Sequence, residues 1–140
     1  MSKKHRIVID TNVFISALKS KKGASYKLLF ETSREKYEQY ISPALIFEYE
    51  SVAKRENLEI NFEQIDDIID MICFRSKKCE IYFLWRPFLK DPKDDFILEL
   101  AIESKSKFII TYNIKDFEGV SQFGIRVKNP KEYLQIIGEI

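Results

Sequence analysis

The run Ile7-Val8-Ile9 leads straight into Asp10-Thr11-Asn12, and no other stretch constrains the fold as much. Three consecutive β-branched residues bounded by polar ones read as a strand buried on both faces, the kind found inside a parallel sheet. In open α/β sheets the working groups lie just past the carboxyl ends of the strands. Asp10 stands at such an end and so anchors a candidate site. The rest of the chain decides whether other groups converge on it.

Taken in order, residues 6–10 form the first strand and Val13 to Leu18 a helical pattern. The basic cluster Lys19, Lys21 and Lys22 follows, closed by Gly23. Ala24 to Arg34 reads as a second helix with Leu28 and Leu29 inward. Tyr37 to Ile41 is a short strand. Ser42 as N-cap and Pro43 at the first helical position then start a helix that runs to about Glu56. Residues 61–75 carry Phe62, Ile65, Ile68, Ile69 and Ile72 at helical spacing, capped by Asn61. Glu80 to Leu84 is strand-like and closes at Arg86-Pro87. Asp94 or Asp95 opens a helix to about Ser104. Phe108 to Thr111 is a second wholly buried strand, Ile125 to Val127 a last short one, and Pro130 to Ile137 a terminal helix. Alternation of this kind predicts one parallel-sheet α/β domain over 1–140, with helices on both faces.

Composition removes several function classes. Hydrophobic content is 45% and charged content 32%, as in a folded globular chain. Only four glycines are present, and neither a dinucleotide fingerprint nor a phosphate-binding G-x-x-x-x-G-K occurs. Cys73, Cys79 and the single His5 make neither a disulfide framework nor a zinc site. His5 is expected to be a solvated residue ahead of the first strand, outside any catalytic triad. No stretch approaches the roughly 18 apolar residues of a membrane span. A cytoplasmic protein with no membrane partner is expected. The net charge of +1 means that a nucleic-acid surface would have to be a local patch.

Segment lengths bring the acids together. A helix from Asp95 to Ser104 is about 15 Å long, and a strand from Lys107 to Thr111 spans about 16 Å. A short turn joins them, so Asp95 comes level with the segment Thr111–Asp116. Glu48 lies early in the helix that follows strand 37–41, again near a strand's carboxyl end. Asp10, Glu48, Asp95 and the 111–116 loop are therefore expected to face one another. Carboxylates so gathered repel unless a cation lies between them. Oxygen donors without His or Cys suit Mg2+ or Mn2+, the ions of metal-assisted phosphodiester hydrolysis.

Four stretches in this order carry a resemblance. They are I-V-I-D-T-N-V from Ile7, E-Y-E-S-V-A-K-R with Glu48, D-P-K-D-D-F-I-L-E-L-A from Asp91 to Ala101, and I-I-T-Y-N-I-K-D-F from Ile109 to Phe117. The sequence resembles the PIN domain, and in particular the PIN-family toxins of prokaryotic toxin–antitoxin pairs. The resemblance implies a three-layer α/β/α fold on a central, mainly parallel sheet of about five strands. It further implies a Mg2+- or Mn2+-dependent ribonuclease acting on RNA, a homodimer, and a cognate antitoxin protein that neutralises it. Matched residue by residue, the family's acids fall on Asp10, Glu48 and Asp95. Asp95 is preferred to Asp94 by its spacing to Thr111. The fourth acid often stands where this chain has Asn113. The alternative N-x-x-D form places it at Asp116.

Thr11, Asn12, Asp94, Thr111 and Asn113 are expected to support the ligands by hydrogen bonding. Lys19, Lys21 and Lys22 are a candidate phosphate-contacting rim. Two other readings weigh against this one. The first is a PIN-fold RNA- or protein-binding module whose catalysis is weakened by Asn113. The second, a phosphohydrolase of the haloacid dehalogenase type, needs a second Asp where this chain has Asn12.

Overall fold

A computed structural model describes residues 4–140. Its centre is a parallel sheet of five strands: β1 (His5–Ile9), β2 (Tyr37–Ile41), β3 (Lys77–Lys78), β4 (Phe108–Ile110) and β5 (Arg126–Lys128). They lie in the order β3-β2-β1-β4-β5, every pair parallel. Helices flank the sheet to give the three-layer α/β/α arrangement expected: α1 (Thr11–Lys19), α2 (Ala24–Tyr26), α3 (Pro43–Arg55), α4 (Phe62–Arg75), α5 (Asp95–Glu103) and α6 (Pro130–Ile136).

The two apolar runs take the middle of the sheet. Ile7, Val8 and Ile9 of β1 pair with Phe108, Ile109 and Ile110 of β4, and all six are fully buried. This register sets the two strand ends side by side, so Asp10 and Thr111 emerge as neighbours. The sheet order reverses direction at β1, which makes this edge the topological switch point where such sheets bind ligands.

Helix starts follow the sequence signals. Ser42 accepts a bond from the Leu45 N–H at 3.2 Å ahead of Pro43. Asn61 and Gln64 form a reciprocal capping box at α4, as Asn129 and Glu132 do at α6.

Three segments depart from expectation. The helix expected over Ala24 to Arg34 is one α-turn, followed by a wider π-type turn from Lys27 to Glu31; Leu28 and Leu29 are buried as anticipated. His5 begins β1 rather than preceding it. Its Nδ1 lies 3.3 Å from the Tyr133 hydroxyl, and partial burial lowers its pKa. Residues Glu80 to Leu84 form no strand, and the edge strand is Lys77–Lys78 instead. The reason is a competing set of acceptors. The Tyr82 N–H donates to Glu103 Oε1 at 2.8 Å, the Trp85 N–H to Glu99 Oε2 at 2.9 Å, and the Leu89 N–H to Asp95 Oδ1 at 2.9 Å. Asp95, Glu99 and Glu103 stand four residues apart on α5 and so form one stripe. The 82–89 segment straps itself along this stripe.

Candidate active site

Asp10 caps α1 as well as ending β1. Its Oδ1 accepts from the Thr11 N–H at 2.8 Å. Its Oδ2 accepts from Thr111 Oγ1 at 2.9 Å and from Asn12 Nδ2 at 3.2 Å. Asn12 also donates to Thr111 Oγ1 at 3.0 Å, while its Oδ1 accepts from the Tyr112 N–H. The Asn113 N–H closes the set by donating to Thr111 Oγ1 at 3.0 Å. Thr11, Asn12, Thr111 and Asn113 thus support Asp10 directly or through one another. From below, the buried Tyr49 hydroxyl donates to the Ile9 carbonyl, tying α3 to the end of β1.

A cleft of about 620 Å3 opens over this corner. Asp10, Glu48, Glu56, Asp91 and Asp94 line it, against only two cations, Lys19 and Lys93. Asp10 is 7% exposed. Burial raises its pKa first, and the Glu48 charge raises it further, against the lowering effect of the Thr111, Thr11 and Asn12 donors. The Asp94 carboxyl is pushed up to about 6, chiefly by burial and then by Asp10, Asp91, Asp116 and Asp95. Two acids from separate elements with raised pKa values in one cleft make it the candidate site.

The neighbouring acids at the start of α5 differ. Asp94 lines the cleft, and its side chain makes no capping bond. Asp95 is 0% exposed, and its Oδ1 accepts from the N–H groups of Leu89 and Phe88 at 2.9 and 3.4 Å. It does not line the cleft. The placement expected of Asp95 therefore belongs to Asp94. The structure separates them: Asp95 shares with Glu99 and Glu103 the face of α5 that accepts the 82–89 backbone, and Asp94 does not. Asp116 lies in a short 3-10 turn, Ile114–Phe117; it does not line the cleft but is close enough to act on Asp94. Asn113 does line it. Of the basic rim, Lys19 reaches the cleft and pairs with Glu56 at 3.7 Å. Lys21 lines a separate groove with Arg75, and Lys22 is exposed. Lys93 and Asp91 were not singled out by sequence reasoning. They sit in the loop that delivers Asp94, and that position is their only signal.

The donor set fits a hard divalent cation. It holds only oxygen ligands, its acids outnumber its lysines, and the buried Thr11 hydroxyl beside Asp10 has no protein partner. Among the described residues no group of three or more His, Cys, Asp or Glu side chains is placed to hold a metal ion by itself. Mg2+ is held through one or two carboxylates, several waters and substrate phosphate, so an open arrangement is compatible with it.

A sheet with this order, carrying acids at its switch point, places a candidate ligand site at that edge. A family model described as PIN domain matches residues 6–115, and the chain belongs to that family. PIN domains are typically metal-dependent nucleases. The chain is also similar to a protein of Methanocaldococcus jannaschii named "Uncharacterized protein MJ1680", with 28% identity over 142 residues, covering 94% of this chain and 91% of the relative. Among the described residues no helix is long and apolar enough to cross a membrane.

Proposed function

We propose that this chain is a single-domain, metal-dependent endoribonuclease that hydrolyses RNA phosphodiester bonds. The observation that carries the reading is the convergence of Asp10, Glu48 and Asp94 on one cleft, with burial and mutual repulsion holding the Asp94 carboxyl up to about 6. Asp10, Asp94 and Glu48 would hold Mg2+ or Mn2+, with Asp116 behind Asp94 as an outer acid. A bound divalent ion supplies a lowered water pKa and charge neutralisation at the phosphate. The chain's own residues do the rest. Thr111, Asn12 and the Thr11 N–H orient the Asp10 carboxylate. Lys19 and Lys93 offer cations to the phosphates on either side of the acids. Asp95 holds the loop that delivers Asp94.

The test is cleavage of a panel of single-stranded and structured RNAs by purified protein with Mn2+ or Mg2+. Cleavage that EDTA stops and Asp10→Asn removes is expected. Folded protein that binds neither ion and cuts no RNA contradicts the proposal.

Asn113 on the cleft wall favours a second reading, a PIN-fold module with weakened catalysis, because an amide brings no charge to the ion. Calorimetry separates the two: RNA or protein binding without any Mn2+ heat belongs to the module. We further infer a cytoplasmic toxin that pairs with an antitoxin protein and forms a homodimer. Phe62 and Phe74 of α4 are largely exposed, which supports α4 as an interface. Light scattering of the purified chain checks the dimer.

A further inference from the structure

One aromatic ring stands beside the Asp10 corner without being part of the core. Tyr112 is 47% exposed, yet it is fastened at both ends. Its backbone N–H donates to Asn12 Oδ1 at 3.0 Å. Its phenol shares a 2.6 Å hydrogen bond with the hydroxyl of the buried Ser25 at the start of α2. Asn12, which takes its N–H, and Thr111, which precedes it, both bond the Asp10 carboxylate. Asn113, which follows it, lines the cleft. Tyr112 does not itself line the cleft; it stands in the chain between Thr111, which bonds the central acid, and Asn113, which lines the cleft.

An immobilised, half-open ring has already lost its rotamer freedom, so it can bind a flat partner without that ordering cost. The flat group that accompanies a phosphodiester is a nucleobase. Bases stack on aromatic side chains with little regard to sequence, and only an unpaired base has a free face to offer. We propose that Tyr112 is a base-stacking residue that receives an unpaired nucleobase next to the phosphate held at the Asp10 cleft. This inference rests on the nuclease reading and adds to it the residue that receives a base beside the cut. The Ser25 bond has a separate role, fixing the ring's position against α2.

The probe is a single-stranded RNA oligonucleotide carrying 2-aminopurine, bound to Asp10→Asn protein so that it survives the measurement. Tyr112→Phe, Tyr112→Trp and Tyr112→Leu are compared in that background, with thermal melts of each. Phe and Trp are expected to keep affinity within about threefold and to keep quenching the probe. Leu is expected to weaken binding about tenfold and to lose the quenching. Phe and Leu both remove the Ser25 bond, so equal melting temperatures with unequal RNA affinity support stacking. Equal RNA affinity for Phe and Leu, both matching the parent, overturns it and leaves Tyr112 a strut between β4 and α2. If the wild-type chain cuts no RNA and the Asp10→Asn protein binds none, the nuclease reading itself fails and takes this inference with it.

Discussion

Asp10 and Asp94 face the same cleft but are held there by different means. Asp10 ends a buried strand and accepts from three donors, two of them on residues that are themselves bonded together. Asp94 sits on a short 3-10 turn, and its side chain makes no capping bond; its neighbour Asp95 does the anchoring. The first corner is positioned by strand register and the second by a strap lying on a helix. The difference teaches how adjacent acids divide labour. Asp95, whose Oδ1 accepts from the Leu89 and Phe88 N–H groups, fixes the chain and lies off the cleft. Asp94, whose side chain makes no capping bond, faces the cleft.

The largest expected effect lies at the rigid corner. Asp10→Asn should lower RNA cleavage roughly a thousandfold or more, since several kcal/mol of charge stabilisation depend on that ligand; single-turnover assays check it. Next, Asp95→Ala should cost about 1–3 kcal/mol of stability in urea unfolding, because it leaves the buried Leu89 N–H without an acceptor. Asp94→Ala, by contrast, should leave metal-free stability unchanged or slightly higher. Equal losses for the two would erase the division between them. Thr111→Val removes the hydroxyl that Asp10, Asn12 and Asn113 share. It should weaken Mn2+ binding about 10- to 100-fold with the fold intact, as supporting groups around metal ligands do.

The smallest effect is that of pH. The Asp94 carboxyl has a pKa of about 6 in the fold against an ordinary 3.8. Between these values the folded chain keeps a proton that the unfolded chain has already released. Its contribution to metal-free stability therefore falls as pH rises through that window, and levels off above it. The urea midpoint of Asp94→Asn should lack this component. Mn2+ should reverse the trend in the wild type, with affinity dropping as pH falls below about 6 because the ion must displace the proton.

Much of this was readable in the chain. Ile7–Ile9 and Phe108–Ile110 announced central parallel strands because they are apolar at every position, and Asp10 followed from where such a strand ends. Ser42-Pro43 and Asn61 marked helix starts because capping chemistry is local. The misreadings were not local. Tyr82-Phe83-Leu84-Trp85 is apolar enough for a strand, but two of its backbone N–H groups go to carboxylates on α5, a choice made by residues some 14 to 21 positions away. Spacing to Thr111 could not separate Asp94 from Asp95, since one residue is a small fraction of a helix's length but turns its face by about 100°. Asp95 lies on the stripe with Glu99 and Glu103 that accepts the 82–89 backbone, and so turns away from the cleft.

The most direct test of the account is a crystal structure of the wild-type chain soaked in Mn2+ at pH 7.5, read by anomalous scattering. A peak within coordination distance of the Asp10 and Asp94 carboxylates, on the Glu48 side of the cleft and out of reach of Asp95, is the predicted result. A peak bound by Asp95 instead, or a cleft that stays empty at saturating Mn2+, would contradict it.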